Sequence, residues 1–591
     1  MEADGTQKEI QMVSDADRKV VEKVLTAFRA AEANQATLMT KWERMYRYYV
    51  GSLEEKKFRW QSNLNIPTAY GLVESQVPRM MAFLYDQEGD YNQLRPVSKS
   101  LIKSAKAMQE LIHAHRLSMG YFDILQEYLK DGAIYGTGII KESWKSEQDF
   151  IYENKIMEQN GKKYYITEKT KNKKTVFNQP VYDVIEPFFF FPDPMAVTSE
   201  EMGWCIHRSY IRKDVLKELA ANPKNKYKNI GEIQTGYKTM EKIPIFKQGI
   251  SGYSLPVAEG DFVEILEYWE KGGRTISIAN REVVIRDIDK LLWTNNLPFV
   301  IYRDTIIPHQ FWGEGVISPL EGLINERNSH RNLKMENLNT VVNRILFLNK
   351  YADVDFEEFE LQNRPGGIIL TDDITNTARP LEITDASRSF DMSEDIIQRD
   401  IQDASGIWDY MRGATPERRE TATAIVRLQR AAQVRINIKI LNAIFAINKI
   451  TKLHIELCKQ FLREEVSVPI PSVEKNGEEI IKLNPSDFQM DFNIQPLTGV
   501  SEMNIEAKRE ALMQLLMMPL FQSPNIRTKP FQKFILNLLN IREAEDIIPE
   551  EEETPMPEQP LPPPKGIPSA KGVPGTPMPP PEEEAGAELE G

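Results

Sequence analysis

The sequence predicts an α+β fold, and three observations predict it. Helical periodicity dominates the start of the chain and its second half. Alternating apolar runs with glycine turns fill most of the stretch between about 131 and 302. Two helical segments of similar length, 318–347 and 386–411, bracket a short β-like insert. At 591 residues the chain exceeds what one core supports, so two or three packed regions are expected.

Over 15–49, Val20, Val24, Ala27 and Phe28 share one helical face with Lys and Glu opposite, which predicts an amphipathic helix. A basic turn, EEKKFRWQSNLNIP, leads to a second helix over 68–85 that ends in an apolar patch of Phe83, Leu84 and Tyr85; residues 100–129 offer two more helices. The run DGAIYGTGIIKESW then sets Gly132, Gly136 and Gly138 before an alternating apolar sequence, which suits a tight helix-to-strand junction. Residues 150–208 read as short strands with a hairpin turn at Asn160-Gly161, a polar turn near Asn172 and FFFFPDP at 188–194. A second β-rich stretch, 262–302, holds two candidate hairpins, one turning at Gly272-Gly273.

Over 318–347, Leu320, Leu323, Ile324, Leu333, Leu338, Val341, Val342 and Ile345 recur among Asn, Arg and Glu, predicting a rod on the order of 40 Å long. Pro365-Gly366-Gly367 followed by IIL, then Arg379-Pro380-Leu381, predict strands and turns in 348–385. Helical spacing returns over 386–411 at Ile396, Ile397, Ile401 and Trp408, and two rods of comparable length around a compact insert form an antiparallel pair. Gly413, Ala414, Thr415 and Pro416 break the helix.

The longest helical pattern, 421–462, carries Ala431, Val434, Ile438, Leu441 and Phe445 with Ile436, Ile440, Ile444 and Ile447 beside them. That face is too broad for a surface helix, so more than one neighbour must cover it. VSVPI, a turn at Asn476-Gly477 and FQMDFNIQP return to β structure, and two short helices follow at 502–518 and 527–541. From Pro549 onward roughly a dozen prolines and about ten acids stand against Lys565 and Lys571, so a disordered acidic arm is expected.

The N-terminus carries acids and no apolar run, so no secretory signal is expected. No apolar stretch approaches the ~20 residues that span a bilayer, and the expectation is a soluble protein. Cys205 and Cys458 give no disulfide framework and suit a reducing compartment. A net charge of −14 argues against tight wrapping of nucleic acid, although a surface that DNA slides past without sticking is expected to be acidic or neutral.

Catalytic signatures are missing. YGTG at 135–138 has Lys141 next, without the hydroxyl and helix that a phosphate loop needs, and reads as a structural turn. The six histidines, His113, His115, His207, His309, His330 and His454, lack partners at ligand spacing and read as surface or packing residues, so no metal and no cofactor are expected. Paired acids such as Glu357-Glu358 and Asp372-Asp373 read as solvated faces, with a two-metal nuclease as the sharper alternative. The cluster Arg412, Glu417, Arg418, Arg419 and Glu420, with Arg427, Arg430 and Arg435 beyond it, is either a solvated helix start or a loop that touches a phosphate backbone. Sequence leaves both open.

In the order YGTGI, FFFFPDP, LEYW, FWGEGVISPLEGLINERN, a short β insert, SGIWDYMRG and ETATAIVRLQRAA, residues of about 40–545 resemble the portal proteins of tailed bacteriophages, particularly those of short-tailed phages. The resemblance implies a portal fold: a wing over 1–317, stem helices over 318–347 and 386–411, a clip over 348–385, a tunnel loop over 412–420, a long helix returning into the wing over 421–501, a short crown over 502–545 and the tail over 546–591. By the same resemblance Arg412, Glu417, Arg418, Arg419 and Glu420 face DNA. Glu357, Glu358, Arg364, Asp372 and Asp373 lie in the clip that meets partners, and Val434, Ile438, Leu441 and Phe445 meet the neighbouring subunit.

The implied protein is a non-enzymatic ring, twelve subunits in mature portals, at one capsid vertex of a virion assembled in the host cytoplasm. Its partners are double-stranded DNA, bound without sequence recognition, the terminase large subunit, a tail adaptor, the major capsid protein and scaffold or core proteins; no membrane is involved. A DNA-processing enzyme such as a nuclease, or another head or tail scaffold protein, are the competing readings.

Overall fold

The computed structural model describes residues 15–52, 61–85, 92–96, 102–159, 162–233, 262–342, 346–349, 368–371, 378–380, 387–407, 422–472, 477–485 and 492–496. All belong to the first of the two units into which the chain divides, Met1–Ala511. They form a mixture of helices and small, mostly antiparallel sheets, an α+β fold.

Helix α1 (Asp15–Val50) opens on Asp15 and Asp17, whose charge suits a helix N-terminus. At ~1.5 Å per residue it is about 54 Å long, enough to serve two cores. Val24, Phe28 and Ala31 pack in one, Trp42 and Met45 in the other. Helix α2 (Thr68–Leu84) and strand β1 (Asn92–Pro96) follow, then α3 (Ile102–Ser118) and α4 (Tyr121–Tyr135) with left-handed Gly120 between them. Helix α4 runs past the expected end at 129, because Leu125, Tyr128, Leu129 and Ala133 are buried and hold the extra turn.

The glycine junction is set by close backbone packing. Gly136 adopts φ 93°, and a Cβ there would lie 2.2 Å from the Gly313 carbonyl oxygen. At Gly138 a Cβ would lie 2.3 Å from the Tyr128 oxygen. Only glycine lets strand β2 (Thr137–Gln159) leave the helix this closely.

Strand β2 pairs antiparallel with β3 (Lys162–Val184), with Gln159 opposite Lys162, so the hairpin falls where Asn160-Gly161 predicts it. The polar turn expected near Asn172 is not a turn: β3 continues through it. The register steps from Phe150↔Lys173 to Tyr152↔Lys169, so residues 170–172 face the single residue 151, and the two surplus residues are absorbed as a bulge. The short strands expected here are one long hairpin.

Strands β4 (Phe190–Pro192), β5 (Trp204–Arg212), then helix α5 (Lys213–Ala221), and strands β6 (Phe262–Glu270), β7 (Thr275–Ala279) and β8 (Val283–Ile288) follow, the strands forming one sheet in the order β4-β5-β6-β7-β8. Successive side chains on a strand face opposite ways, and β4 uses this: Phe190 enters the main core against Phe299, while Phe191 enters the second core against Phe28. Strand β9 (Phe299–Arg303) returns to the hairpin and pairs with the start of β2.

A short 3-10 turn at Ser318–Leu320 starts helix α6 (Glu321–Val342). The helix is shorter than the 318–347 expected, because Leu346 and Phe347 belong to strand β10 (Leu346–Asn349). That strand is flanked by β11 (Ile368–Thr371), parallel to it, and β12 (Ala378–Pro380), antiparallel. Helix α7 (Ser387–Ser405) ends at left-handed Gly406, before the 411 expected. Helix α8 (Ala422–Phe461) is the longest, with 40 residues. Strands β13 (Val466–Ser472) and β14 (Gly477–Leu483) form a hairpin, and β15 (Phe492–Pro496) pairs with β1, joining late chain to early chain. A third core of Met108, Leu111, Ile112, Ile455, Cys458, Leu462, Val468 and Leu483 lies where α3, α8 and this hairpin meet.

The expected helices at 502–518 and 527–541 and the acidic arm lie outside the described residues. No helix among the described residues is long and apolar enough to cross a membrane.

Candidate assembly interface

Helices α6 and α7 run antiparallel, as their ion pairs show. Glu394 of α7 meets both Arg327, at 3.7 Å, and Arg331, while Asp391, one turn earlier, meets Lys334, one turn later on α6. Rising numbers on one helix against falling numbers on the other is the signature of an antiparallel pair. At the end near the main core Leu320, Ile324, Ile397 and Ile401 are buried; the β10–β12 sheet is formed by the sequence span that links the two helices.

The asparagines that make α6 polar have a defined partner. Asn332 Oδ1 accepts the Leu64 N–H at 2.7 Å and its amide donates to the Leu64 carbonyl at 3.1 Å; Asn328 Oδ1 accepts the Ile66 N–H at 3.0 Å; Glu336 accepts the Ser62 N–H at 3.1 Å. Residues four apart on a helix rise ~6 Å, and residues two apart on an extended chain rise ~6.6 Å. The two repeats match, so 336, 332 and 328 read 62, 64 and 66 backbone to side chain. Asn328 and Asn332 are buried polar groups with their hydrogen bonds made.

Helix α8 is apolar on two opposite faces. Ile436, Ile440, Ala443, Ile447 and Ile450 are buried in the main core. On the other side Val434, Ile438 and Phe445 remain 56, 57 and 60% exposed, with Leu441 half-buried between them. Steps of four, three and four residues align these side chains in one stripe. Nothing else in the described chain covers that stripe.

The helix is tied down beside the stripe by charge. Lys439 Nζ lies 2.5 Å from Asp304 Oδ2 and 2.9 Å from Gln76 Oε1, and the fully buried Asp304 also accepts from Gln76 at 2.7 Å and from the Tyr302 hydroxyl at 2.8 Å. A buried carboxylate that accepts from three donors orients its partners strongly. Arg435 donates to the Asp403 and Ala404 carbonyls at 2.9 and 3.2 Å, a cation at the C-terminus of α7. Of the arginines that follow the charged cluster in sequence, this one caps a helix.

Of the site residues expected from sequence, the interface set Val434, Ile438, Leu441 and Phe445 is brought together on α8. Arg412, Glu417, Arg418, Arg419 and Glu420 lie outside the described residues, as do Glu357, Glu358, Arg364, Asp372 and Asp373. Sequence reasoning missed the asparagine ladder, whose signal is the 328, 332, 336 spacing. It also missed a buried polar group made by His115 and Arg116 of α3, Glu142 of β2, Tyr182 of β3, and Thr451, His454 and Cys458 of α8. Burial pushes the His115 imidazole down to about 4, and it pushes the Glu142 carboxyl well up although Arg116 pulls the other way.

An α+β chain with a paired-helix arm and a long helix whose outer apolar face is left open is a subunit built to assemble with others. The chain belongs to the Phage SU10 portal protein family, which matches residues 20–590. This bears out the resemblance to phage portal proteins, and with it a structural component of the virion in an oligomeric assembly with capsid and other phage proteins. No curated protein matches the chain in sequence.

Proposed function

We propose that the chain is one of twelve subunits of a closed ring at a single capsid vertex, the channel through which double-stranded DNA enters and leaves. The carrying observation is the stripe of Val434, Ile438, Leu441 and Phe445 on α8, apolar and exposed opposite a face already buried in the chain's own core. A head-to-tail contact, in which the stripe of one copy meets a different surface of the next, closes into a ring when its rotation divides a circle. Fully covering each half-exposed side chain contributes roughly 1–2 kcal/mol, repeated at every interface.

In this reading the α6–α7 pair is the stem, the three-stranded β10–β12 region belongs to the clip, and the clip docks the terminase large subunit and later the tail adaptor. Residues 412–420 form the loop that meets DNA. With −14 on each chain the walls repel DNA and let it slide, and contact is confined to that loop.

The ring is tested by negative-stain imaging and native mass spectrometry of the purified protein. Rings with a central hole are expected. The double variant Ile438→Glu, Phe445→Glu is expected to yield monomers with an unchanged circular dichroism spectrum. Wild-type protein that stays monomeric at high concentration would overturn the reading.

A further inference from the structure

His454 and Cys458 are four residues apart on α8, so the helix sets them on one face. Helix α3 lies across that face and brings His115 to them from 339 residues away, with its Nδ1 3.1 Å from His454 Nε2. The two imidazoles and the Cys458 thiol present ligand atoms that all lie within 4.8 Å of one another. A tetrahedral ion bound at ~2.0–2.1 Å to nitrogen and ~2.3 Å to sulfur holds its nitrogen ligands about 3.3 Å apart. The imidazole pair is already close to that separation.

Two neighbours complete the setting. The Tyr182 hydroxyl lies 2.5 Å from His454 Nδ1, on the far side of the ring. With that hydroxyl accepting from Nδ1–H, the Nε2 lone pair faces His115, as the outer hydrogen bond of a ligating histidine leaves it. Glu142 of β2 is only 1% exposed, and neither carboxylate oxygen has a hydrogen-bond partner. Burial pushes the Cys458 thiol and the Tyr182 hydroxyl up, and an ionised Glu142 beside them pushes the same way. Burial favours the protonated form of Glu142 although Arg116 pulls the other way, and a bound cation is the charge that would draw it into its ionised form. Arg116, which donates to Thr451 at 2.7 Å, opposes a cation; a Cys458 thiolate and an ionised Glu142, both formed as the metal binds, offset that charge.

We propose that His115, His454 and Cys458 bind one zinc-class ion, a borderline-soft divalent metal, with Glu142 as the nearby anionic group. The nitrogen and sulfur donors select such an ion over magnesium or calcium, which prefer oxygen. On binding, the Cys458 thiol releases one proton to solvent and its sulfur bonds the metal, while the proton that His115 Nδ1 shares with His454 moves to His115 Nε2, so that the Nδ1 lone pair is free to ligate. The ion fastens α3 to α8, so early and late parts of the chain share one clamp.

Full-length protein is equilibrated with zinc, freed of excess by dialysis and its metal content measured; cobalt(II) is then substituted and the near-ultraviolet spectrum read. One ion per chain is expected, with a thiolate-to-cobalt charge-transfer band. Cys458→Ala is expected to lose the band, and Tyr182→Phe to bind zinc roughly 10–100-fold more weakly. Wild-type protein that retains no zinc above the Cys458→Ala level, or shows no thiolate band with cobalt, would overturn the proposal. If Cys458→Ala fails to fold, the presence or absence of the band in the wild type decides.

Discussion

Glu267 shows how a single residue holds two sheets together. It stands opposite His207 in the β5–β6 register, 3.3 Å from its Nδ1, and 2.5 Å from Lys141 Nζ on β2, which belongs to the other sheet. Burial alone would push this carboxyl up, but Lys141 and His207 overcome it and hold its pKa well below the ordinary 4.5. A carboxyl whose folded pKa is depressed stabilises fully above its unfolded value, and that stability is lost as pH falls through the folded one. Replacing Glu267 with Gln is therefore expected to lower stability by on the order of 3–5 kcal/mol at neutral pH, because Lys141 is left charged and mostly buried. In urea denaturation the gap between wild type and variant should persist at pH 5 and narrow only below about 4.5; a gap already closed at pH 5 contradicts the assignment. None of this was legible in the sequence, where Lys141 and Glu267 are 126 residues apart.

Among the elements, helices were read with most success, and their ends with least. The 3.6-residue period of apolar side chains marks α1, α2 and α8 directly. Where α6 and α7 stop depends on competition: Leu346 and Phe347 continue an apolar pattern that suits helix or strand, and pairing with Ile368–Thr371 and Ala378–Pro380 decides for strand. The turn signal at Asn172 became a bulge for a similar reason, since the ladder on either side of it is long enough to carry two surplus residues. The polar face of α6 is explained by the segment 62–66 that it reads. Asn332→Ala leaves the Leu64 N–H and carbonyl without their partners, a loss of about 1–3 kcal/mol. Hydrogen exchange at the Leu64 amide is expected to speed up about tenfold to a hundredfold, and unchanged exchange would show that the ladder carries no energy.

At the scale of the whole molecule, the open apolar stripe on α8 and the acidic total charge fit one design under the proposed ring. In such a ring, contacts between copies would be apolar and local, while the field toward DNA would be repulsive and spread out. Symmetry would multiply Arg418 and Arg419 into a circle of positive charge inside an acidic channel. Replacing both arginines with Ala is expected to leave ring assembly intact and to lower severalfold the fraction of particles that package or retain DNA. Normal packaging and retention would return residues 412–420 to the plainer reading of a solvated helix start.

The sequence by itself determined the order of helices and hairpins, the antiparallel helix pair around a small β insert, the breadth of the apolar surface on the longest helix, and the portal resemblance. These are written in local periodicity and in motif order, which need no knowledge of what lies across the core. Tertiary structure alone decided which face of α8 stays open, what the α6 asparagines bind, and that His115, Glu142, Tyr182, His454 and Cys458 share one buried point. Each of these depends on residues far apart in the chain meeting through packing, and separation along a sequence carries no record of distance in space.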